Sequence, residues 1–182
     1  MDSVASNYIK KFSFLILVSI SLGKTVEGGS MSLFSKEKHE VVVSSPFEGV
    51  ISINGSIAPN AKIERVLKWG DEEDTETVFT DDDGKFTLQV KRAEIEVNPL
   101  VQFTAHQKIF VYYQGEKYQI WVMGKLDKEL YAELNGKPVN VQCDLNDSIR
   151  RIESPGGLLG TSCTWDGLDY DQKVVSSYFK ET

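Results

Sequence analysis

The chain has 182 residues, of which 41% are hydrophobic and 26% are charged, and its net charge is −7. These proportions are typical of a globular protein with a packed core, and they exclude wholesale disorder. An acidic chain repels phosphate backbones, which argues against nucleic acid as a partner. Eight carboxylates lie between residues 71 and 83, and the rest of the chain sums to +1. We therefore expect any electrostatic function to be local to this segment.

The beginning of the chain has the pattern of a secretory signal peptide. Two lysines precede an apolar run over residues 12–22, and a glycine ends the run. Eleven residues at ~1.5 Å each span roughly half the apolar thickness of a bilayer, so no stable membrane span is expected. This pattern predicts a signal peptide over residues 1–23 and a periplasmic or secreted protein. In the alternative, translation starts at Met31, the preceding residues are a spurious extension, and the protein is cytoplasmic.

Residues 39–165 have the sequence pattern of one β-domain, in which short runs of β-branched residues are separated by the turn-forming residues Gly, Asn, Asp and Pro. Between two of these runs, Asn54-Gly55 predicts a tight hairpin turn because both positions tolerate positive φ. Farther on, an acidic loop is expected from Gly70, and Asp81-Asp82-Asp83-Gly84 is expected to form a turn. The predicted strands of this half cover residues 41–43, 47–53, 63–69, 77–79 and 86–90.

The second half continues the β pattern and contains one predicted helix. Strands are expected over Ile109–Tyr113 and Tyr118–Val122, and a last long strand over Pro138–Leu145. The apolar spacing between Leu126 and Leu134 predicts a short helix that ends at the Asn-Gly pair following it. Beyond Pro155 the chain is predicted to be a loop, and residues 166–182 a weakly ordered tail. The pattern as a whole predicts a mainly β protein, an antiparallel β-sandwich with one short helix.

The chain contains two cysteines, Cys143 and Cys163. A disulfide between them would close a loop of about twenty residues and stabilise the fold by roughly 3 kcal/mol, in an oxidising compartment only. Their spacing fits no zinc motif. The alternative is that both are buried thiols of a cytoplasmic protein.

Four segments of the first half carry a resemblance to a known family. They are Glu48–Ile51, Asn54-Gly55, Pro59–Ile63 and Thr80–Leu88. Together they resemble the carboxypeptidase-regulatory-like, or transthyretin-like, β-sandwich family. The resemblance implies a sandwich in which a small Ala61 lies where two sheets approach and Phe86 returns to the core. It also implies an accessory role in adhesion, stabilisation or scaffolding, and it transfers no functional residue.

The second half is similar to a small uncharacterised group of Gram-negative envelope proteins in which a short β-domain ends with two cysteines and a tryptophan. The segments that carry this similarity are Tyr113–Gly115, Ile120-Trp121, Cys143–Leu145 and Ser162–Trp165. The similarity prompts the hypothesis of an immunity protein that neutralises an antibacterial secretion-system toxin.

No catalytic residue, metal site or cofactor is predicted. If Gly84 were the invariant glycine of an EF-hand loop, the first ligand position would fall on Phe79 and the closing glutamate on Val90, neither of which can bind calcium. His39 and His106 lie in no recognisable nucleophile or metal motif. We therefore expect the protein not to be an enzyme.

Two surfaces are candidates for partner binding. The first is the acidic segment Asp71, Glu72, Glu73 and Asp74, which predicts a protein partner of basic character, such as a basic toxin. The second consists of Tyr112 and Trp121, which share a strand face if Tyr113 pairs with Tyr118 across the hairpin. That aromatic face would suit an envelope module that binds carbohydrate or peptide.

Overall fold

The computed structural model describes residues 38–96, 100–154 and 157–167. The predicted signal peptide and residues 168–182 of the predicted tail lie outside the described residues. Within the described ranges the chain forms twelve strands and one turn of 3-10 helix, Ala132–Leu134. The strands are β1 (Lys38–Ser44), β2 (Phe47–Ile53), β3 (Ser56–Ile57), β4 (Lys62–Trp69), β5 (Glu72–Phe79), β6 (Lys85–Leu88), β7 (Lys91–Glu96), β8 (Ala105–Tyr113), β9 (Glu116–Lys125), β10 (Asn140–Asp144), β11 (Arg150–Ser154) and β12 (Gly157–Thr161).

The strands are arranged in two layers. One layer is a six-stranded sheet with the order β11-β12-β9-β8-β4-β5. The other combines a sheet built around β2, with β3, β6 and β10, and a two-stranded ribbon of β1 and β7. Among the described pairings, β10 runs parallel to β2 and the others are antiparallel. The prediction of a mainly β, sandwich-like fold with antiparallel sheets is confirmed.

The hydrophobic core lies between these layers. Phe47 and Ile51 of β2 are buried against Ile63, Val111 and Trp121 of the six-stranded sheet. The rings of Phe47 and Trp121 meet edge to face with their centroids 4.6 Å apart. A smaller apolar cluster lies under the β1–β7 ribbon and includes residues of β4 and β8. Strand alternation thus supplies one apolar face to each layer.

The predicted turns form as the local sequence requires. Asn54 and Gly55 have φ values of 53° and 73° and connect β2 to β3. In the second turn, the Asp81 carboxylate accepts hydrogen bonds from the backbone N–H groups of Asp83 and Lys85, at 2.9 and 2.8 Å. Gly84 has a φ of 73°, and a Cβ added there would lie 2.7 Å from the carbonyl oxygen of Ile51. This turn therefore needs glycine both for its conformation and for its close approach to β2.

The prediction of an acidic loop from Gly70 is wrong. Only Gly70 and Asp71 form a turn, and the carboxylates that follow belong to β5. β5 pairs with β4 along its whole length, with Trp69 opposite Glu72 and Ile63 opposite Val78. A run of acidic residues disfavours a strand when only propensity is considered. Here the pairing and the cations of neighbouring segments stabilise it.

The helix expected between Leu126 and Leu134 is reduced to the 3-10 turn Ala132–Leu134. Tyr131 precedes the turn with a φ of 58°, which interrupts a right-handed helix. Its backbone N–H donates to the Ser45 hydroxyl at 2.8 Å, and the buried Lys125 ammonium donates to the Glu129 carbonyl at 2.6 Å. These tertiary contacts bend the segment, although it ends at Asn135-Gly136 as predicted.

The strand over residues 140–144 is not the last one. Residues 150–154 and 157–161 form a further antiparallel pair, so the prediction of a loop beyond Pro155 is wrong. β12 also pairs with β9, where Gly157 approaches so closely that a Cβ would lie 1.9 Å from the Gly124 carbonyl oxygen. The glycines that suggested a loop instead permit this close strand contact.

Candidate functional site

The candidate site begins at the β4–β5 turn. Gly70 has a φ of 55°, and a Cβ added there would meet no atom within 4 Å. Backbone conformation, rather than space, therefore favours glycine at the first position of this two-residue turn. The turn places Asp71 and the first residues of β5 at one corner of the six-stranded sheet, where β5 is an edge strand.

Half of the eight carboxylates between residues 71 and 83 have structural partners. Asp74 forms an ion pair with Lys91 at 2.7 Å, and Glu76 forms one with the buried Arg65. In the following turn, Asp81 accepts the two backbone hydrogen bonds described above. Asp83 is 2.9 Å from the Lys85 ammonium.

The pKa values of the paired groups reflect these contacts. The hydrogen bond from Lys91 is the main cause of the lowered pKa of Asp74. Burial is the main cause of the lowered pKa of Arg65, and the Glu76 carboxylate opposes that shift. The Arg65 guanidinium also donates to the Ser44 hydroxyl at 3.1 Å and to the Gln89 carbonyl at 2.6 Å. The buried guanidinium of Arg65 thus connects Glu76 of β5 to Ser44 and Gln89 of the opposite layer.

The other carboxylates, Asp71, Glu72, Glu73 and Asp82, are exposed. Within residues 38–96, 100–154 and 157–167, none of these four forms an ion pair or a side-chain hydrogen bond. Three of them are consecutive, at the turn and the start of β5. The structure therefore separates the four acidic residues singled out from the sequence: Asp71, Glu72 and Glu73 are unpaired, and Asp74 is engaged by Lys91.

A cleft of about 770 Å³ opens beside Asp71 and Glu72, whereas Glu73 borders a second depression on the outer face of the sheet. Its apolar side chains, Trp69, Ile95 and Phe103, are half-buried. Carboxylates of β7 add to its acidic rim, and Lys68 and Lys128 are the cations that line it. The residues along the cleft are Lys68, Trp69, Gly70, Asp71, Glu72, Glu94, Ile95, Glu96, Val101, Gln102, Phe103, Thr104, His106 and Lys128. Apolar side chains beside exposed carboxylates suit the alkyl stem and charged head of a basic side chain.

Both histidines lie on strands of the described fold. His106 is exposed on β8, opposite Lys68 of β4 and Gly124 of β9, and it lines the same cleft as Asp71 and Glu72. In the described part of the chain it makes no hydrogen bond with a carboxylate or a nucleophile. His39 lies on β1 opposite Ile95.

Tyr112 and Trp121 do not share a face, so the aromatic surface predicted from the hairpin is wrong. Tyr113 pairs with Glu116 rather than with Tyr118, because the connecting loop has only two residues. This two-residue difference leaves the faces of the hairpin unchanged. The register shift after Ile109, which adds one residue on β9, is what turns Trp121 inward.

The two aromatic side chains consequently have different surroundings. Trp121 is 1% exposed and packs on Phe47 and Trp165. Tyr112 is half-buried on the outer face, where its hydroxyl donates to the Glu64 carboxylate at 2.9 Å. The Lys62 ammonium lies 4.8 Å from the Tyr112 ring centroid. Tyr112 therefore belongs to a polar surface array and Trp121 to the core.

The Cys143–Cys163 disulfide predicted from the sequence is present, with an S–S distance of 2.02 Å. It joins β10 to the segment that follows β12, and the backbone of Gln142 and Thr164 exchanges two hydrogen bonds beside it, each 2.8 Å long. The disulfide thus links the two layers of the sandwich.

Sequence reasoning missed a second depression, on the outer face of the six-stranded sheet. It has a volume of about 500 Å³, and Val66, Val122 and the 49% exposed Leu158 supply its apolar surface. The depression lies over Gly124 and Gly160, which have no side chains to fill it. Reading residues 157–161 as a strand with Leu158 outward would have indicated this surface.

No group of three or more His, Cys, Asp and Glu side chains in residues 38–96, 100–154 and 157–167 is arranged to hold a metal ion. Over the same ranges, no helix has the length and apolar character needed to cross a membrane.

The fold and the site define a mainly β, sandwich-like protein with a disulfide between its layers and an acidic edge strand beside a cleft. The chain belongs to the family described as Domain of unknown function (DUF6795), which matches residues 47–148. That range includes the acidic strand, the cleft and Cys143 of the disulfide. Neither a curated protein nor a solved structure matches the chain.

Proposed function

We propose that this protein is a non-catalytic interaction protein that binds a basic protein partner at the start of β5. The observation that carries the proposal is the set of consecutive carboxylates Asp71, Glu72 and Glu73, which are exposed and form no ion pair or side-chain hydrogen bond among the described residues. Asp71 and Glu72 lie beside the apolar side chain of Trp69 in a cleft. Unpaired charge of one sign accelerates association with a partner of opposite sign, and the adjacent aromatic surface provides short-range contact.

One specific form of this proposal is an immunity protein that neutralises an antibacterial secretion-system toxin. An acidic inhibitor of a basic toxin gains fast association through electrostatic steering. A periplasmic or secreted location follows from the predicted signal peptide, and the disulfide is compatible with an oxidising compartment. Translation from Met31 would instead give a cytoplasmic protein.

The transthyretin-like or carboxypeptidase-regulatory-like fold is a finer proposal. Its support is local: Asn60 adopts the left-handed conformation with a φ of 53°, Ala61 is fully buried and Phe86 is 4% exposed. The Thr80 hydroxyl bridges this segment by donating to the Ala58 carbonyl at 2.7 Å and accepting from the Ala61 N–H at 2.8 Å. An accessory role in adhesion or scaffolding is consistent with a binding function.

The alternative is an envelope module that binds carbohydrate or peptide. Because Trp121 is in the core, this alternative would have to use Tyr112 with its neighbours Lys62, Glu64 and Lys117 on the outer face. A glycan array would test it: binding that is lost in Tyr112→Ala would favour the alternative over the acidic surface.

Affinity capture of partners from a periplasmic extract tests the proposed function. The variant to use replaces Asp71 by Asn and Glu72 and Glu73 by Gln, and leaves the Asp74 ion pair intact. A matched control removes the same amount of charge from exposed carboxylates outside the cleft, with the substitutions Glu48→Gln, Asp82→Asn and Glu116→Gln. We expect the first variant to lose the captured partner and the control to retain it. Equal recovery by the two variants would contradict the proposal.

A further inference from the structure

β5 is the edge of the six-stranded sheet, and no described strand pairs with its outer side. The two-residue turn makes Trp69 and Glu72 a hydrogen-bonded pair of the antiparallel ladder, and such pairs recur at every second residue. The backbone groups of Asp74 and Glu76 therefore point toward β4. Those of Glu73, Thr75 and Thr77 point away from the sheet.

The outward-pointing residues are accessible. Glu73, Thr75, Thr77 and Phe79 are all exposed, and Phe79 is 58% exposed although it is a large apolar residue. No described strand pairs with the backbone groups of Glu73, Thr75 or Thr77 on this side, and within the described chain the Thr75 N–H has only the neighbouring Asp74 carboxylate as a partner. An unpaired strand edge of this kind is a template for the addition of another strand.

The two faces of β5 differ in chemistry, because strand side chains alternate. Glu72, Asp74 and Glu76 lie on one face, and the side chains of the latter two are 36% and 31% exposed despite their ion pairs. The opposite face begins with Glu73 and continues with Thr75 and Thr77, with Phe79 at its end.

We infer that the β5 edge accepts an extended, amphipathic basic segment of a protein partner as an additional antiparallel strand. Its Lys or Arg residues would face Glu72, Asp74 and Glu76, and its alternating apolar residues would cover Thr75, Thr77 and Phe79 on the opposite face. Opposite charges directly across two strands are stabilising, and the backbone ladder supplies affinity that is independent of side chains. The inference rests on the proposed function and specifies the partner's conformation and chemistry.

The negative charge of β5 favours a basic strand, rather than a second copy of this chain, as the partner of its edge. An antiparallel pair of two β5 strands centred on Thr75 would place Asp74 of one copy opposite Glu76 of the other, twice. Like charges directly opposite each other are destabilising. The carboxylates therefore disfavour pairing between copies in this register, and they favour a cationic strand.

Amide hydrogen exchange measured by NMR on the full chain tests the inference. The probe is an acetylated and amidated peptide of eight residues in which lysine and valine alternate. At saturating peptide, the amides of Glu73, Thr75 and Thr77 should exchange at least ~10-fold more slowly, because each gains a hydrogen bond. The amides of Asp74 and Glu76, which are already bonded to β4, should change by less than about twofold. A peptide with glutamate in place of lysine should leave all five rates unchanged.

Other outcomes overturn the inference. No binding of the lysine peptide, or binding without this alternating protection, would show that β5 is not a strand acceptor. Slow exchange of the amides of Glu73, Thr75 and Thr77 before peptide is added would show that another segment of this chain or a second copy already occupies the edge. The proposed function would survive each of these results, because partner capture by the carboxylates is measured separately.

A variant of the edge provides a second measurement. Thr75→Pro removes one outward N–H and leaves every carboxylate in place. It should weaken peptide binding roughly tenfold, whereas Thr75→Ala should change binding less than about twofold. Undiminished binding by a folded Thr75→Pro variant would overturn strand addition.

Discussion

Replacement of Asp144 by Asn tests how the end of β10 stabilises the β2–β3 hairpin. One oxygen of the Asp144 carboxylate accepts from the backbone N–H groups of Asn54 and Asn146, at 3.2 and 3.0 Å. The other accepts from the Gly55 N–H at 2.7 Å and the Ser52 hydroxyl at 3.3 Å. An amide retains only one acceptor oxygen, so two of the four donors lose their partner and the remaining bonds lose the charge.

We expect Asp144→Asn to lower the free energy of unfolding by about 2 kcal/mol at neutral pH. A net hydrogen bond contributes roughly 1 kcal/mol, and the partial exposure of this turn keeps the total near the lower end of the range for bonds to a charged group. Urea denaturation followed by fluorescence measures the difference. Asp82→Asn is the matched control because Asp82 is exposed and has no side-chain partner among the described residues, and it should change stability by less than about 0.5 kcal/mol.

The pH dependence gives the sharper test. Hydrogen bonds from backbone groups, that of Gly55 first, lower the pKa of Asp144 below its ordinary value of 3.8. The folded state therefore binds this proton less readily than the unfolded state, and the stabilisation is complete above the ordinary pKa. It is lost as the pH falls through the lowered, folded pKa. The gap between the native protein and Asp144→Asn should narrow over that interval, and a gap that is the same at neutral and acid pH would refute the reasoning.

Three further predictions concern the stability of the sandwich. Replacing both Cys143 and Cys163 by serine should lower the free energy of unfolding by about 3 kcal/mol in urea titrations, because the disulfide closes a loop of 20 residues and restricts the unfolded chain. An unchanged midpoint would contradict this loss of stability. Gly49→Ala should lower the free energy of unfolding by about 2–3 kcal/mol in the same assay, because the added Cβ would lie 2.2 Å from the Val141 carbonyl oxygen. Full native stability of this variant would show that β2 and β10 can move apart without loss of stability. Arg65→Met should lower the free energy of unfolding by about 2 kcal/mol and speed amide exchange in β5 more than in β9, because the buried guanidinium holds β5 through its ion pair with Glu76. Equal acceleration of exchange in both strands would contradict this role.

The features that the sequence predicts well are those that a few neighbouring residues determine. The Asn54-Gly55 turn and the turn at Asp81 follow from local tolerance of positive φ and from an aspartate that accepts nearby backbone N–H groups. The disulfide follows from the presence of only two cysteines and their separation.

The errors have tertiary causes. The acidic run of β5 is a strand because β4 pairs with it and Arg65 and Lys91 supply counter-ions, and these contacts come from distant positions. Trp121 turns into the core because the register shifts after Ile109. Neither the counter-ions nor the shift has a signal in the local sequence.

The fold also determines which carboxylates of the candidate site lack an ion-pair partner. From composition alone, the eight carboxylates between residues 71 and 83 are equivalent members of one acidic segment. The fold assigns cations or backbone donors to Asp74, Glu76, Asp81 and Asp83, and it leaves the exposed cluster at the turn. The sequence therefore indicates where the charge is, and the pairing of strands indicates which part of it is available to a partner.

The most direct test of the proposed binding surface is the rate of association with a captured partner at low and physiological ionic strength. Replacing Asp71, Glu72 and Glu73 by their amides should slow association roughly tenfold at low salt, and the difference should shrink as salt screens the charges. The control variant that removes three carboxylates outside the cleft should associate at nearly the native rate. Equal slowing by the two variants would show that only net charge matters and would contradict a binding surface at the start of β5.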